Sequence, residues 1–201
     1  SYRNSNGGVG VRVIKWDTAI GSNGVTDHGE TLLLLNNHNG MNTNCVYDPD
    51  TDQVIVAFRQ GSNASLQVMA VAANYSITAT GSNSEWETGS SPQEVYMEYN
   101  TSQDKVIIVY RKSNQLWAKA ATVSGDTIGG YGTAVQLSGA TLSTNYSFNT
   151  CWDSTNNKVI VAYSDDGDNN KLKAVALDCY GTTLTWGTPI TLYSSITTRY
   201  V

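Results

Sequence analysis

An internal repeat of about 52 residues is the feature that most constrains how this chain can fold. In each copy an aromatic residue is followed by Asp or Asn, and a β-branched run begins seven residues after the aromatic. Copies start at Tyr47, Tyr99 and Trp152, so successive copies are 52 and 53 residues apart. A fixed period of this length suits a four-stranded blade, the unit from which β-propellers are built.

Each copy predicts four β-strands. The first strand ends at the aromatic residue, where Asp48, Asn100 and Asp153 can each accept a hydrogen bond from the backbone N–H two residues on and so favour a tight turn. The β-branched run forms the second strand, and a polar loop leads to a third strand in which small residues alternate. The fourth strand begins near an aromatic-Gly-Thr signature, which is present at Tyr131 and Trp186.

The repeat predicts one all-β domain: a β-propeller of four-stranded blades in about four repeats, the N-terminal one entered mid-blade. The repeat phase differs at the two ends. Either the sequence is an excerpt of a longer array, which we favour, or the terminal half-blades pair with each other or with a neighbouring protomer, and head-to-tail completion would then give a filament. The expected division of residues 1–201 is a partial blade at 1–42, blades at 43–92, 93–144 and 145–195, and the start of a further or closing strand at 196–201.

Composition excludes several classes of function. Charged residues make up 14% of the chain and the net charge is −5, with no cluster of Lys or Arg, so the electrostatic attraction needed for nucleic-acid binding is missing. No stretch approaches the roughly 18 apolar residues of a membrane-spanning helix. The three cysteines, Cys45, Cys151 and Cys179, match no zinc pattern, and we expect buried thiols and no cofactor.

The repeat motif is most complete from Trp152 to Tyr163, where it reads aromatic-Asp-x-x-x-x-Lys-Val-x-Val-Ala-Tyr. A small-residue strand and the segment Trp186–Ile190, Trp-Gly-Thr-Pro-Ile, follow it. Together these motifs resemble a repeat that recurs in tandem in tail-fibre and other virion-associated proteins of cyanobacterial and marine phages, and in some microbial extracellular proteins. The resemblance covers essentially the whole chain. It implies a structural or recognition role on a virion or another extracellular assembly, without naming a ligand.

Arginine recurs at one repeat position, in Arg3, Arg59 and Arg111, and Ser164 breaks the series. Three guanidinium groups from neighbouring blades can converge on a carboxylate or sulfate. The first alternative function is therefore lectin-like binding of anionic cell-surface glycans, with Trp117 as an aromatic contact. The trio resembles that of sialidases, but the chain has no Ser-x-Asp-x-Gly-x-x-Trp box and no evident Tyr/Glu nucleophile pair. A sialidase-like glycoside hydrolase is thus a weaker second alternative, and we favour structural, repeat-encoded arginines.

Two stretches of alternating carboxylates are weak candidates for a calcium site. Neither has the spaced Gly and distal Glu of a full calcium loop, so we interpret them as turn-capping residues and predict no metal site. They contain Asp48, Asp50 and Asp52 in the first stretch, and Asp166 and Asp168 in the second.

Nothing in the sequence indicates nucleophilic catalysis. His28 and His38 lie in Gly- and Asn-rich surroundings without a nucleophile motif, so we predict a non-catalytic protein. Four sequons permit glycosylation if the protein is secreted by a eukaryote, although composition alone accounts for them. Their asparagines are Asn63, Asn74, Asn100 and Asn145.

Aromatic residues divide into two groups by their place in the repeat. Those that recur in register are predicted to fill the core, and the others are freer to serve a surface that binds sugars or proteins. The first group contains Tyr47, Phe58, Tyr99, Tyr110, Trp152 and Tyr163, and the second contains Trp16, Tyr75, Trp117 and Tyr180.

Taken together, these patterns predict a non-catalytic structural or recognition module of an extracellular assembly such as a virion fibre or filament. The expected partners are other copies of the chain or other subunits of the assembly, and cell-surface glycans in the lectin-like alternative.

Overall fold

The protein is seen in a computed structural model, in which the described residues form antiparallel β-sheets with no α-helix. The prediction of an all-β chain is therefore confirmed. A 3-10 turn, Asp166–Asp168, separates β-strands in the C-terminal part of the chain. The structure describes residues 2–3, 9–11, 14–16, 25–27, 32–33, 43–71, 77–137, 141–142 and 148–194, with side chains described over 43–70, 77–137, 141–142 and 148–194.

Five short strands lie at the N-terminal end of the chain, and only their backbone is described. One group of three pairs in the order β1-β2-β5, and β3 pairs with β4. These N-terminal strands are β1 (Tyr2–Arg3), β2 (Val9–Val11), β3 (Ile14–Trp16), β4 (Val25–Asp27) and β5 (Leu32–Leu33).

Three larger sheets follow in chain order, each with the topology of a simple meander. The first sheet contains β6 (Asn44–Asp48), β7 (Gln53–Gln60), β8 (Asn63–Val71) and β9 (Ile77–Glu87). The second contains β10 (Glu94–Asn100), β11 (Lys105–Lys112), β12 (Gln115–Ser124), β13 (Thr127–Gly129) and β14 (Val135–Gln136). The third contains β15 (Phe148–Asp153), β16 (Lys158–Asp165), β17 (Lys171–Tyr180), β18 (Thr183–Trp186) and β19 (Ile190–Tyr193).

The turn between the first and second strands is the same in all three larger sheets. Asp48, Asn100 and Asp153 each accept a hydrogen bond from the backbone N–H two residues on, at 3.0 Å in every case. The residue that ends each turn, Asp52, Asp104 or Asn157, has a positive φ of 55°, 51° or 52°, a conformation that Asn and Asp tolerate better than most residues. The turn mechanism predicted from the sequence is confirmed.

The fourth strand slips by two residues against the third in every sheet. In the second sheet Thr122 pairs with Gly129 and Trp117 pairs with Gln136. The two pairs are thus five residues apart on the third strand, β12, but seven residues apart on the fourth strand. The same slip occurs in the N-terminal strands between the pairs Ile14–Asp27 and Gly10–Leu33. It recurs in the first sheet between Met69–Ala79 and Ser65–Glu85, and in the third between Leu177–Trp186 and Leu172–Tyr193. The described pairs of the N-terminal strands thus share this two-residue offset with the larger sheets.

The larger sheets stack face to face, and the β-branched second strand of the middle sheet explains why. Because successive side chains point to opposite faces, Val106 and Ile108 pack towards the first sheet while Ile107 and Val109 pack towards the third. The unbroken apolar run of β11 therefore serves two cores. The first strands β6, β10 and β15 lie next to one another along one side of the stack.

Glycine permits a close contact between successive sheets. A Cβ atom on Gly81, in β9, would overlap the backbone carbonyl of Asp126, which lies in the β12–β13 turn of the second sheet. A Cβ atom on Gly132 would overlap the carbonyl of Thr182 in the β17–β18 turn of the third. In both places the fourth strand of one sheet meets the turn between the third and fourth strands of the next.

Burial corrects two expectations from the sequence. Tyr47, assigned to the core by its repeat position, is 52% exposed and donates a hydrogen bond to Asp52, whereas its repeat equivalent Tyr99 is buried. Cys45 and Cys151, expected to be buried thiols, are exposed, and only Cys179 is buried. Phe58, Tyr110 and Tyr163 are buried as predicted, Trp152 is partly buried, and the non-recurring Tyr180 is exposed.

Among the described residues, no helix has the length and hydrophobicity needed to cross a membrane.

Candidate functional site

The recurring arginines are held by groups of the chain itself. Arg111 is buried, with its Nε 3.6 Å from a Glu94 carboxylate oxygen and its Nη1 donating to Asn114 Oδ1 at 3.2 Å. Arg59 donates from Nη1 to the carbonyl of Pro92 at 3.0 Å, which ties the first sheet to the segment that enters the second. Burial lowers the pKa of both guanidinium groups. These contacts agree with a structural role, and the side chain of Arg3 lies outside the described residues.

Trp117 lies at the junction of the first and second sheets. It packs, partly buried, against the core between these sheets, and Lys112 Nζ lies 5.3 Å from its ring centroid. The ammonium group of Lys112 also donates to Glu87 Oε1 at 2.7 Å. Tyr110 donates to Glu87 Oε2 at 3.0 Å, and Ser90 donates to Oε1 at 2.6 Å. Burial acts to raise the pKa of Glu87, but these hydrogen bonds outweigh it and lower the pKa.

The carboxylates considered for calcium already have protein partners. Asp48 caps its turn, and Asp52 accepts the hydrogen bond from Tyr47 at 2.7 Å. A hydrogen bond with Asp104 raises the pKa of Asp50. Asp168 forms ion pairs with Lys171 and Lys173, whose Nζ atoms each lie 2.8 Å from one of its carboxylate oxygens. Asp166 is exposed in the 3-10 turn. Within the described part of the chain, no three His, Cys, Asp or Glu side chains are grouped as a metal site would require.

The sequon asparagines differ in accessibility. Asn100 is fully buried, so its amide is out of reach in the folded chain. Asn63 is half-buried, and its side chain bonds Glu85 and the backbone N–H of Gly89. Asn74 and Asn145 lie outside the described residues.

An apolar surface that the sequence reasoning missed covers the side of the third sheet that faces away from the second. We call it the outer face and define it by Ile160, Ala162, Ala174, Ala176 and Ile190, which are absent from the core between the second and third sheets. A shallow pocket lies on it, lined by Ile160, Ala174, Ala176, Gly187, Ile190 and their neighbours. Ile190 is 60% exposed, and Leu192 and Tyr193 beside it are each 50% exposed. The repeat contained a signal for this surface. Ile160 and Ala162 align with Ile107 and Val109, which are buried, so the repeat places apolar residues on this face of the third sheet as well.

Two small polar clefts occur at equivalent junctions between sheets. The first lies where Gly81 meets the turn of the second sheet and is lined by Ser82, Asn83, Ser84, Thr127 and the acidic Asp126. The second lies where Gly132 meets the turn of the third sheet and is lined by Tyr131, Thr133, Thr182 and Thr183. Both clefts offer mainly neutral hydroxyl and amide groups, so neither presents the positive charge that an anionic glycan requires.

Searches for related proteins gave no match to any family model, curated protein or solved structure.

Proposed function

We propose that this chain is a non-catalytic structural and recognition module of an extracellular assembly, such as a virion fibre or filament, whose sheets are the blades of a β-propeller or a closely related array. The observation that carries the proposal is the outer face. Ile190, Leu192 and Tyr193 are 50–60% exposed on or beside this face, and Ile160, Ala162 and Ala176 on it are partly buried. A stack of repeated sheets with such partly exposed apolar residues on one side is suited to join a larger assembly, because exposed apolar patches mark interaction sites.

The propeller architecture is supported by how the sheets meet. Successive sheets pack through their faces, and their first strands lie side by side, as the innermost strands of propeller blades do. The two glycine contacts show that the relation between the first and second sheets recurs between the second and third. Repetition of one sheet-to-sheet relation is the rule from which propellers and solenoids are built.

A non-catalytic role is supported by the ion pairs that charged side chains form with one another. Glu87, Asp165 and Asp168 each bind a lysine of the chain, and Arg111 lies against Glu94. Each of these ion pairs holds strands or turns of the chain together. The extracellular setting is supported by the resemblance to virion-associated repeats and by a surface made polar by Ser, Thr and Asn more than by charge.

Immunogold electron microscopy of the native material, with an antibody raised against this chain, tests the proposal. We expect gold on a regular extracellular structure, a fibre, filament or virion. Gold confined to the cell interior would contradict it. So would turnover of a fluorogenic sialoside by the purified chain that is lost on substitution of Arg59 or Arg111, because that result would establish the hydrolase alternative.

A further inference from the structure

We propose that the two polar clefts between successive sheets bind one neutral oligosaccharide, with a sugar unit in each cleft. The first cleft is the one beside Gly81, and the second cleft is the one beside Gly132. The inference rests on the proposed function and deepens it, because it names the class of ligand that the module recognises.

The two clefts are built from the same positions of the repeat. Each lies between the fourth strand of one sheet and the turn of the next sheet whose backbone carbonyl approaches the glycine. In each cleft one hydroxyl residue directly follows the glycine, and a second directly follows the residue that supplies the carbonyl. The repeat therefore places two exposed hydroxyl groups, one from each sheet, at both junctions. These pairs are Ser82 with Thr127 in the first cleft, and Thr133 with Thr183 in the second.

The chemistry of the clefts favours an uncharged ligand that is rich in hydroxyl groups. A hydroxyl group both donates and accepts hydrogen bonds, so it can pair with a sugar hydroxyl in either direction. The first cleft adds the amide of Asn83 and the carboxylate of Asp126, which accepts hydrogen bonds and repels anions. The described lining of the second cleft contains no charged side chain. A neutral carbohydrate satisfies both clefts, whereas an anionic glycan would meet a negative charge in the first.

The size of each cleft suits one small unit of a ligand. The cavity volumes are about 330 Å³ in the first cleft and about 270 Å³ in the second. Small-molecule sites span roughly 300–1,000 Å³, so both clefts lie at the lower end of this range. We therefore assign one sugar unit to each cleft and expect contacts in both to be needed for appreciable affinity.

Tyr131 connects the two clefts. It lines the second cleft, and its hydroxyl donates to the Oγ of Ser84, which lines the first, at 2.7 Å. The Nζ of Lys119 lies 5.3 Å from the centre of the Tyr131 ring and donates to the carbonyl of Trp86 at 2.7 Å. These contacts fix Tyr131 between the clefts, which are therefore neighbouring parts of one surface. A ligand of several units can extend from one cleft to the other.

An exposed tryptophan lies near the second cleft. Trp186 ends β18, the strand whose first residue, Thr183, lines that cleft. It pairs with Leu177 of the core between the second and third sheets, and directly opposed residues share a face of the sheet. Trp186 thus lies on the side of the third sheet that faces the second, and it is 41% exposed. Its indole offers an apolar surface and an N–H donor, which suit the C–H groups and hydroxyls of a sugar ring.

A glycan array tests the inference with the whole chain. The array carries neutral glucans, galactans and mannans of increasing length, and sialylated and sulfated glycans for comparison. Three variants alter the proposed surface: Thr127→Val in the first cleft, Thr183→Val in the second, and Trp186→Ala. The matched control is Thr185→Val, because Thr185 is exposed on β18 between Thr183 and Trp186 but its side chain points to the opposite face.

We expect binding to at least one neutral series, with little change between low and high salt because uncharged hydrogen bonds are not screened. The signal should rise steeply once the chain is long enough to reach both clefts. Thr127→Val and Thr183→Val should each weaken binding of the long chain about 2- to 10-fold, the effect of losing one neutral hydrogen bond. Trp186→Ala should weaken it by at least about fivefold, and Thr185→Val should leave it unchanged.

Any of three results would overturn the inference. They are no binding to any neutral glycan on the array, binding confined to sialylated or sulfated glycans and lost at high salt, or neutral binding that Thr183→Val and Trp186→Ala both retain. Circular dichroism of each variant separates loss of binding from loss of fold. Because immunogold microscopy locates the native chain independently, gold on an extracellular fibre without neutral-glycan binding would reject the carbohydrate ligand alone.

Discussion

The backbone carbonyl of Thr182 lies against the α-carbon of Gly132 so closely that a side chain on the glycine would overlap it. Gly81 and Asp126 make the same contact one sheet earlier. The absence of a side chain on one strand thus fixes the approach of the next sheet. The repeat therefore determines how closely successive sheets pack as well as where its strands lie.

Gly132→Ala should destabilise the protein. The added methyl group must displace a backbone carbonyl, and overpacking of this kind costs about 1–3 kcal/mol of unfolding free energy. Gly187→Ala is the matched control, since it adds the same atom at the equivalent place, where no atom of the described residues lies within 4 Å of the added Cβ. Urea denaturation monitored by tryptophan fluorescence measures both. Equal stability of the two variants would contradict the contact described here.

Asn100→Ala should cost more stability than Asp153→Ala. Both side chains accept the same turn hydrogen bond, but Asn100 is fully buried and Asp153 is only partly buried. Truncation of the fully buried Asn100 side chain removes its hydrogen bonds with Ser102 and leaves a cavity, at a cost of about 1–3 kcal/mol, whereas water can fill the space left at the more exposed Asp153. Thermal unfolding of the two variants compares these costs, and a larger loss at Asp153 would count against the turn assignment.

Stability should fall on acidification because of Glu87. Its pKa is lowered in the folded chain, since hydrogen bonds from Lys112, Ser90 and Tyr110 outweigh the effect of burial. A carboxyl with a lowered folded pKa contributes stability above its unfolded pKa of about 4.3, and that contribution is lost as pH falls through the folded value. Denaturation curves across this range should show a weaker acid dependence for Glu87→Gln than for the unaltered chain. An identical dependence in both would exclude the proposed contribution.

Glu98 affects the pH dependence of stability in the opposite direction to Glu87. Burial raises its pKa, although the hydrogen bond donated by Thr150 opposes the shift. Glu98→Gln should therefore strengthen the net loss of stability on acidification, and this variant provides the matched comparison for Glu87→Gln.

The thiols should separate into two classes. Cys45 and Cys151 are exposed, whereas burial raises the pKa of Cys179 to about 11 and its Sγ contacts the carbonyl of Gly181. Because the thiolate is the reactive form, a chromogenic disulfide reagent should modify Cys45 and Cys151 in the native protein and reach Cys179 only on unfolding. Rapid native modification of Cys179, identified by mass spectrometry, would contradict its placement.

The sequence predicted the parts of the fold that depend on local chemistry. The aromatic-to-valine spacing placed the first and second strands, and the Asx residues after the aromatics placed the turns, because both effects act within a few residues. Burial could not be predicted in the same way. Tyr47 and Tyr99 occupy one repeat position, yet Tyr99 packs in the core between the first and second sheets and Tyr47 lies exposed. Which copy of a residue is covered depends on its neighbouring sheet.

The candidate functional residues could likewise be predicted only in part, because their contacts depend on the neighbouring sheets. The sequence singled out Arg59 and Arg111 because they recur, but recurrence does not reveal that Pro92 and Glu94 receive them. The prediction that the fourth strand begins at the aromatic-Gly-Thr signature was wrong, because that strand begins earlier, at Thr127 and Thr183, and the signature lies at the break within it. Its role in admitting the next sheet emerged only from the distances around Gly132. The outer face escaped notice because its apolar residues match the buried residues of other copies.

The measurement that most directly tests the central claim, that equivalent sheets stack in chain order, is the distance between spin labels on Cys45 and Cys151 by pulsed electron resonance. These exposed residues lie on the first strands of the first and third sheets, on either side of β10. With stacked sheets about 10 Å apart, we expect one narrow distribution near 20 Å, broadened by the label linkers. A broad distribution, or one centred far beyond this distance, would contradict the stack.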